Sequence, residues 1–352
     1  MTVTDDYGWA ALEAVDSPVL RQYRHYRPFD SAIADFTEEA QESNRIYLGV
    51  DELDAQIRGV GGKHLVLLNG YTHSGKTLFA RHILRHNRLK RVAWFTPDES
   101  ASMQLASLAS MQLGVEAEEL ERRLQEDDAE AKVLLRQVVD EFPNLAVFEE
   151  PLTIEYLMES LDECEKAWGA KHELVVIDYL KLLRAGDDMD SKYSFAKSLS
   201  KTRGPVLALN QTSRSAGADG REMTISSGEY GGEDYATFVL GVRRKKFEYA
   251  AIARDLRAKA TRAGRGGMEA EERLREVNDL LDFHEHTITV NAVKVKRVGG
   301  RNVDEIDFEL DHVTGRLIPL HGRWPSGYRS IRADRTAPPP PPFWEQEEFG
   351  DY

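Results

Sequence analysis

The segment Gly70-Tyr71-Thr72-His73-Ser74-Gly75-Lys76-Thr77 has the residue types and the spacing needed to hold a chain of phosphates. It fits G-x-x-x-x-G-K-[ST] at every fixed position. The two glycines let the backbone curl until its N–H groups face phosphate oxygens, and the start of a following helix adds partial positive charge. Lys76 then reaches the β- and γ-phosphates, and the Thr77 hydroxyl ligates Mg²⁺. A second acid must help to hold the metal. Asp178 closes the apolar run Leu174-Val-Val-Ile177, where such an aspartate belongs. Hydrolysis also needs a group that orients or activates water. Asp98 and Glu99 both follow the apolar run that ends at Thr96. Asp98 suits an N-cap for a helix starting near Ser100, which leaves Glu99 as the favoured base. Gln211 ends a further apolar run and can hydrogen-bond a γ-phosphate or its water, relaying the nucleotide state onward.

Elements must bring these residues together. Short β-rich apolar runs are expected as strands over 64–69, 91–96, 145–148, 174–178 and 206–210. Helical patterns over 76–87, 100–113, 154–168 and 193–202 separate them. Buried strands alternating with helices predict an α/β fold, a mostly parallel central sheet with helices on both faces. In such a sheet the carboxyl ends of the strands share one edge. Glu99, Asp178 and Gln211 would then lie beside the phosphate loop.

The last third departs from this alternation. Residues 236–242, 287–295 and 306–310 read as strands without crossover helices, an antiparallel C-terminal extension of the sheet. Between the first two lies a charged stretch, 247–281, broken by Gly264, Gly266 and Gly267, and expected to be a helical hairpin. Three parts are expected: an arm at 1–44, an ATPase domain at 45–320, and a Pro-rich acidic tail at 321–352. In the arm, a helix from about 31 to 42 would be capped by Asp30, with Ile33 and Phe36 on one face.

Composition narrows the function classes. The 352 residues include 46 basic and 60 acidic side chains, a net charge of −14. A single cysteine, Cys164, excludes a disulfide framework and a four-thiolate zinc site. No apolar run approaches the roughly 18 residues of a membrane span, and the N-terminus lacks the apolar stretch of a secretory signal. A cytoplasmic protein is expected. The acidity argues at first against nucleic acid as a partner. It is concentrated, however: residues 116–163 hold sixteen acids against four bases, and 343–352 four acids and no base. The rest of the chain carries +2, so the charge is compatible with a nucleic-acid motor.

Taken together, these residues resemble the RecA-type P-loop motor of DnaB-like replicative helicases. Ile177-Asp178-Tyr179-Leu180 looks like that family's Walker-B strand. Leu209-Asn210-Gln211-Thr212-Ser213-Arg214 is similar to its strand-end glutamine and the basic loop after it. Lys294-Val-Lys296-Arg297-Val-Gly299-Gly300 looks like its Lys-x-Arg-x-Gly turn, and Val313-Thr-Gly315-Arg316-Leu317 like its closing turn. The resemblance spans about 46–320. It implies a RecA-like fold, ATP and Mg²⁺ as ligands, and ATP hydrolysis driving movement along single-stranded DNA. It also implies a homo-oligomer, a hexameric ring with ATP sites between subunits. The turn would supply cationic fingers to a neighbour's nucleotide, either Lys294 with Lys296 or, preferred here, Lys294 with Arg297. Loops at 184–193 and 212–229, the second with Arg214 and Arg221, are the candidates to follow the DNA backbone. A primase, a loader or a polymerase is an expected partner. The arm is too short for the family's helical N-terminal domain, but could dock on an adjacent subunit. A filament-forming recombination ATPase and a non-motor regulatory ATPase of the same fold are the competing expectations.

Other features carry less. Residues 243–265 hold nine basic and two acidic side chains, better explained by a solvated helical face than by a DNA-contacting arm. His82 and His86, with no acid or cysteine beside them, and His284-Glu285-His286, a weak ligand pair, are expected to be structural.

Overall fold

The computed structural model describes residues 29–212, 232–261 and 265–320. The chain divides into two units, 1–44 and 45–352. In the first, a 3-10 turn (Phe29–Ser31) leads into helix α1 (Ala32–Ala40). Asp30 therefore lies inside a turn, and the helix starts one residue later than expected and ends two earlier. Phe29, Ile33 and Phe36 are exposed and spaced to lie along one face.

The second unit is built on one nine-stranded sheet in the order β3-β2-β4-β5-β1-β6-β7-β8-β9. The strands are β1 (Leu65–Gly70), β2 (Val92–Phe95), β3 (Leu145–Phe148), β4 (Leu174–Ile177), β5 (Val206–Gln211), β6 (Phe238–Arg243), β7 (Thr287–Val295), β8 (Val303–Leu310) and β9 (Leu317–Pro319). β1 to β6 run parallel, and β7, β8 and β9 continue the sheet antiparallel. This is the α/β sheet with an antiparallel extension that the sequence pattern predicts.

Helices α2 (Asp51–Ile57), α3 (Lys76–His86), α4 (Ala101–Leu113), α5 (Ala117–Gln125), α6 (Ala129–Glu141), α7 (Ile154–Trp168) and α8 (Met189–Thr202) accompany the parallel strands. The two-residue period of β1 sends alternate side chains to opposite faces. Val66 and Leu68 pack with Ile57 of α2, Phe79 and Ile83 of α3, and Leu108 of α4. Leu65 and Leu67 pack with Leu157 and Leu161 of α7, and Tyr193 and Leu199 of α8. All four β1 residues are essentially inaccessible to water, so each side of the central strand nucleates one layer of core.

Local chemistry sets the helix ends. The Ser100 hydroxyl accepts the Met103 N–H at the start of α4, and Gly114 closes it in the left-handed region. Asp98 is therefore not the cap. Ser100 is nearer to the helix, and its hydroxyl meets the third N–H. Asp188 caps α8 by accepting the Ser191 N–H at 2.7 Å, so Met189 to Tyr193, expected as loop, is the first helical turn. The charged stretch after β6 forms two helices, α9 (Lys245–Ala260) and α10 (Arg265–Phe283). They have a small core of their own, Ala253, Leu256, Ala270 and Val277. No helix among the described residues is long and apolar enough to cross a membrane.

Candidate nucleotide-binding site

The phosphate loop joins β1 to α3. Two of its glycines are required by contact. A Cβ on Gly70 would lie 2.6 Å from the Val242 carbonyl oxygen and 2.4 Å from Ser74 Oγ. Gly75 has φ +99, and a Cβ there would lie 2.4 Å from Ile288 Cδ1. The loop thus leans on β6 and β7. Ser74 is buried, and its hydroxyl is among the buried side-chain atoms without a hydrogen-bond partner. Thr72 and His73 are exposed at the rim.

Lys76 opens α3 and is buried. Its Nζ donates to the carbonyls of Gly70 and Tyr71, both at 2.9 Å. Burial pulls its pKa down to about 8, against the attraction of Asp178. Thr77 Oγ1 donates to Asp178 Oδ1 at 3.5 Å. Asp178 directly follows β4 and is also buried. Burial raises its pKa to about 6; Glu99 pushes the same way, while the Thr77 hydrogen bond, Arg81 and Lys76 oppose it.

Glu99 lies in the turn after β2. Its carboxylate accepts from the Arg81 guanidinium and from Gln104 Nε2, the latter at 2.7 Å. Asp98 is exposed, and its carboxylate faces the Tyr179 hydroxyl at 3.4 Å. Glu99 is among the charges that raise the Asp178 pKa. Gln211 ends β5 in register with Gly70, and its side-chain amide donates to the Thr72 hydroxyl. Lys76, Thr77, Glu99, Asp178 and Gln211 therefore share the carboxyl edge of the parallel strands. Arg81 and Gln104 belong to this cluster and escape a motif search. The available signal was Arg81 four residues after Thr77, one helical turn along the same face.

This constellation fits a nucleotide with its metal. The glycines leave a cradle open to phosphate oxygens, Ser74 has an unmatched buried hydroxyl, and Lys76 supplies the cation. No group of three or more His, Cys, Asp or Glu suited to a metal occurs among the described residues. Mg²⁺ in phosphate sites needs only one or two carboxylates, with waters and phosphates completing its shell.

The finger candidates lie elsewhere. Lys294 pairs with Val239, and the Lys296 N–H donates to Thr237, beyond the start of β6. This places Arg297 at the sheet edge opposite the phosphate loop. Arg297 donates to the carbonyls of Ile57 at 2.5 Å, Gly59 at 3.3 Å and Arg58 at 3.4 Å, at the end of α2. Lys294 donates to the Glu233 carbonyl. Arg214 and Arg221 lie outside the described residues. His82 is a core residue: its Nε2 meets the Gly49 carbonyl oxygen at 3.1 Å, and its ring stacks on Phe79. His284 is buried and stacks on Tyr249.

The fold agrees with that of solved structures the chain matches. One solved ATPase domain superposes with a TM-score of 0.61 at 18% identity, over 84% of this chain and 100% of that one. A DnaB-like replicative helicase, solved in the context of its interactions with primase, superposes with a TM-score of 0.56 at 16% identity, over 84% of this chain and 68% of that one. At these identities the likeness concerns the fold. No curated protein sequence matches the chain. The family described as DnaB-like helicase C terminal domain matches residues 46–225. That is just over half of the sequence and includes the phosphate loop, both strand-end acids and Gln211, and the chain belongs to this family.

Proposed function

We propose that the protein is an ATP-dependent replicative DNA helicase that moves on single-stranded DNA as a ring, with each ATP site completed by the neighbouring subunit. The observation that carries this reading is the separation of the cationic turn from its own phosphate loop. Arg297 is level with the start of β1, and Gly70 is its last residue. Five rises of about 3.3 Å put them roughly 17 Å apart along the strand direction. A guanidinium held there does not reach its own γ-phosphate. It can serve the site of an adjacent copy, as an arginine finger supplied in trans does.

In this reading the phosphate loop holds the triphosphate of ATP, and Lys76 stabilises charge on its β- and γ-oxygens. Thr77 and Asp178 would hold Mg²⁺, which supplies further neutralisation of phosphate charge. Glu99 orients the attacking water and accepts its proton. Gln211 couples the state of the site to the segment after β5 through Thr72. Arg214 and Arg221 in that segment are proposed to follow the DNA backbone, which would give little sequence preference. Lys294 and Arg297 are the proposed fingers. The exposed apolar face of α1 is proposed to dock on a neighbouring subunit, making 1–44 an arm, 45–320 the motor and 321–352 a tail. A primase or a loader is the proposed partner, since a structural relative was solved in the context of its interactions with primase.

The test joins particle shape to turnover. With a non-hydrolysable ATP analogue and single-stranded DNA, closed six-fold rings are expected by electron microscopy; filaments would refute the ring. Lys76→Ala is expected to abolish ATP hydrolysis while circular dichroism stays unchanged. Normal turnover in that variant would refute the site.

A further inference from the structure

Glu99 does not stand alone. It accepts hydrogen bonds from Arg81 and from Gln104, and Arg81 Nε donates to Gln104 Oε1 at 2.9 Å. The three side chains close a ring. Arg81 is 6% exposed and Gln104 2%. A buried guanidinium and a buried amide are costly to desolvate, and apolar side chains would fill the same space more cheaply. Their presence calls for a task that needs polarity. Arg81 projects from the same face of α3 as Thr77, one turn further on. Gln104 lies in the first turn of α4. The ring therefore ties the helix that begins at the phosphate loop to the helix that begins after Glu99. Burial pulls the Arg81 pKa down, and the attraction of Glu99 and Asp178 opposes it, so its guanidinium lies where it offsets the repulsion between the two acids of the site.

We propose that Arg81 and Gln104 are positioning residues for ATP hydrolysis, holding the Glu99 carboxylate in the one orientation from which it can take up the attacking water. This rests on the assignment of Glu99 as the base. Without the ring, a glutamate in a turn samples several rotamers. A misplacement of about 1 Å in a reacting group can cost roughly a hundredfold in rate. Arg81 and Gln104 themselves exchange no proton or bond with the substrate. The ring also gives α4 a direct hold on the base, so a displacement of that helix is expressed as a change in turnover.

The test uses the full chain with ATP, Mg²⁺ and single-stranded DNA, and measures kcat, KM and the affinity for a fluorescent ATP analogue. Arg81→Ala is expected to lower kcat roughly tenfold to a hundredfold, the usual loss on removing an orienting partner, and to leave analogue affinity within about twofold. Arg81→Lys keeps the charge but loses the planar fork, and is expected to recover part of the rate. Gln104→Leu is expected to act in the same direction. In a Glu99→Gln background, Arg81→Ala is expected to cause no further loss, because the group it positions is already gone. Should Arg81→Ala fail to fold, Arg81→Lys and Gln104→Leu, closer in volume, decide the matter. Unchanged kcat in both would overturn the proposal. So would parallel losses of kcat and affinity, or a loss that simply adds to that of Glu99→Gln. Full turnover by Glu99→Gln alone would instead identify a failure of the base assignment.

Discussion

Replacing Gly75 by alanine perturbs the phosphate loop at a point where the cost can be worked out. Two terms contribute. The backbone there has φ +99, and an L-residue held in left-handed geometry costs about 1–2 kcal/mol. The added Cβ would also lie 2.4 Å from Ile288 Cδ1 and 3.3 Å from Cγ1, an overpacking that costs roughly 1–3 kcal/mol. The sum is about 2–5 kcal/mol against the native loop. Only the second term depends on Ile288. Ile288→Val removes the offending methyl and by itself costs about 0.5–1.5 kcal/mol. The double variant should therefore be more stable than the two single losses predict by roughly 1–3 kcal/mol, a coupling that a double-mutant cycle resolves. Gly70→Ala has no such remedy, because its Cβ meets the Val242 backbone carbonyl. The assay is urea unfolding of the four Gly75/Ile288 proteins, with titration of a fluorescent ATP analogue in parallel. If the loop yields locally, the coupling will appear in nucleotide affinity rather than in unfolding. Strict additivity in both measurements would refute the contact between the loop and β7 and the reasoning built on it.

Three further outcomes follow from the site and the core. Mixing Arg297→Ala subunits with Glu99→Gln subunits should raise ATP turnover well above either parent, because one intact finger then meets one intact base; the absence of rescue at every ratio would refute action in trans, whose usual worth is about 10³–10⁵-fold. Gln211→Ala should retain nucleotide affinity but lose the stimulation of ATPase activity by single-stranded DNA, since it breaks the link to Thr72; full stimulation would exclude a relay through Gln211. Burial lowers the pKa of His82 to about 4, from 6.5. The unfolded chain therefore takes up a proton first, so the stability is fully present above about pH 6.5 and is lost as pH falls towards 4. At about 1.4 kcal/mol per pH unit this is on the order of 3 kcal/mol, and urea unfolding of His82→Phe should show less acid destabilisation than wild type.

Much of the site was legible because its requirements are local. A phosphate loop needs glycines, a lysine and a hydroxyl at fixed spacing between a strand and a helix, and all of them lie within eight consecutive residues. The parallel sheet was legible from its alternating runs, and with it the edge on which Glu99, Asp178 and Gln211 meet. The misreadings were also local, but they concerned competition between neighbours. Asp98 and Ser100 both have side chains able to cap α4, and only the folded turn shows that Ser100 meets the Met103 N–H while Asp98 faces Tyr179.

What depends on distance across the sheet came from packing. Glu99 and Gln104 are close in sequence, but Arg81 joins them only because α3 and α4 pack on the same face. Gly75 is demanded by Ile288, more than two hundred residues away, as well as by the turn itself. The position of Arg297 follows from the antiparallel register of β7 on β6, which turns the chain back towards the edge away from the phosphate loop. The kind of chemistry this chain carries can be read from its residues alone, because that chemistry resides in residue types at short spacing. The placement of Arg297, Glu99 and the Arg81–Gln104 pair emerged with the fold, because register and packing are set by contacts that no short segment contains.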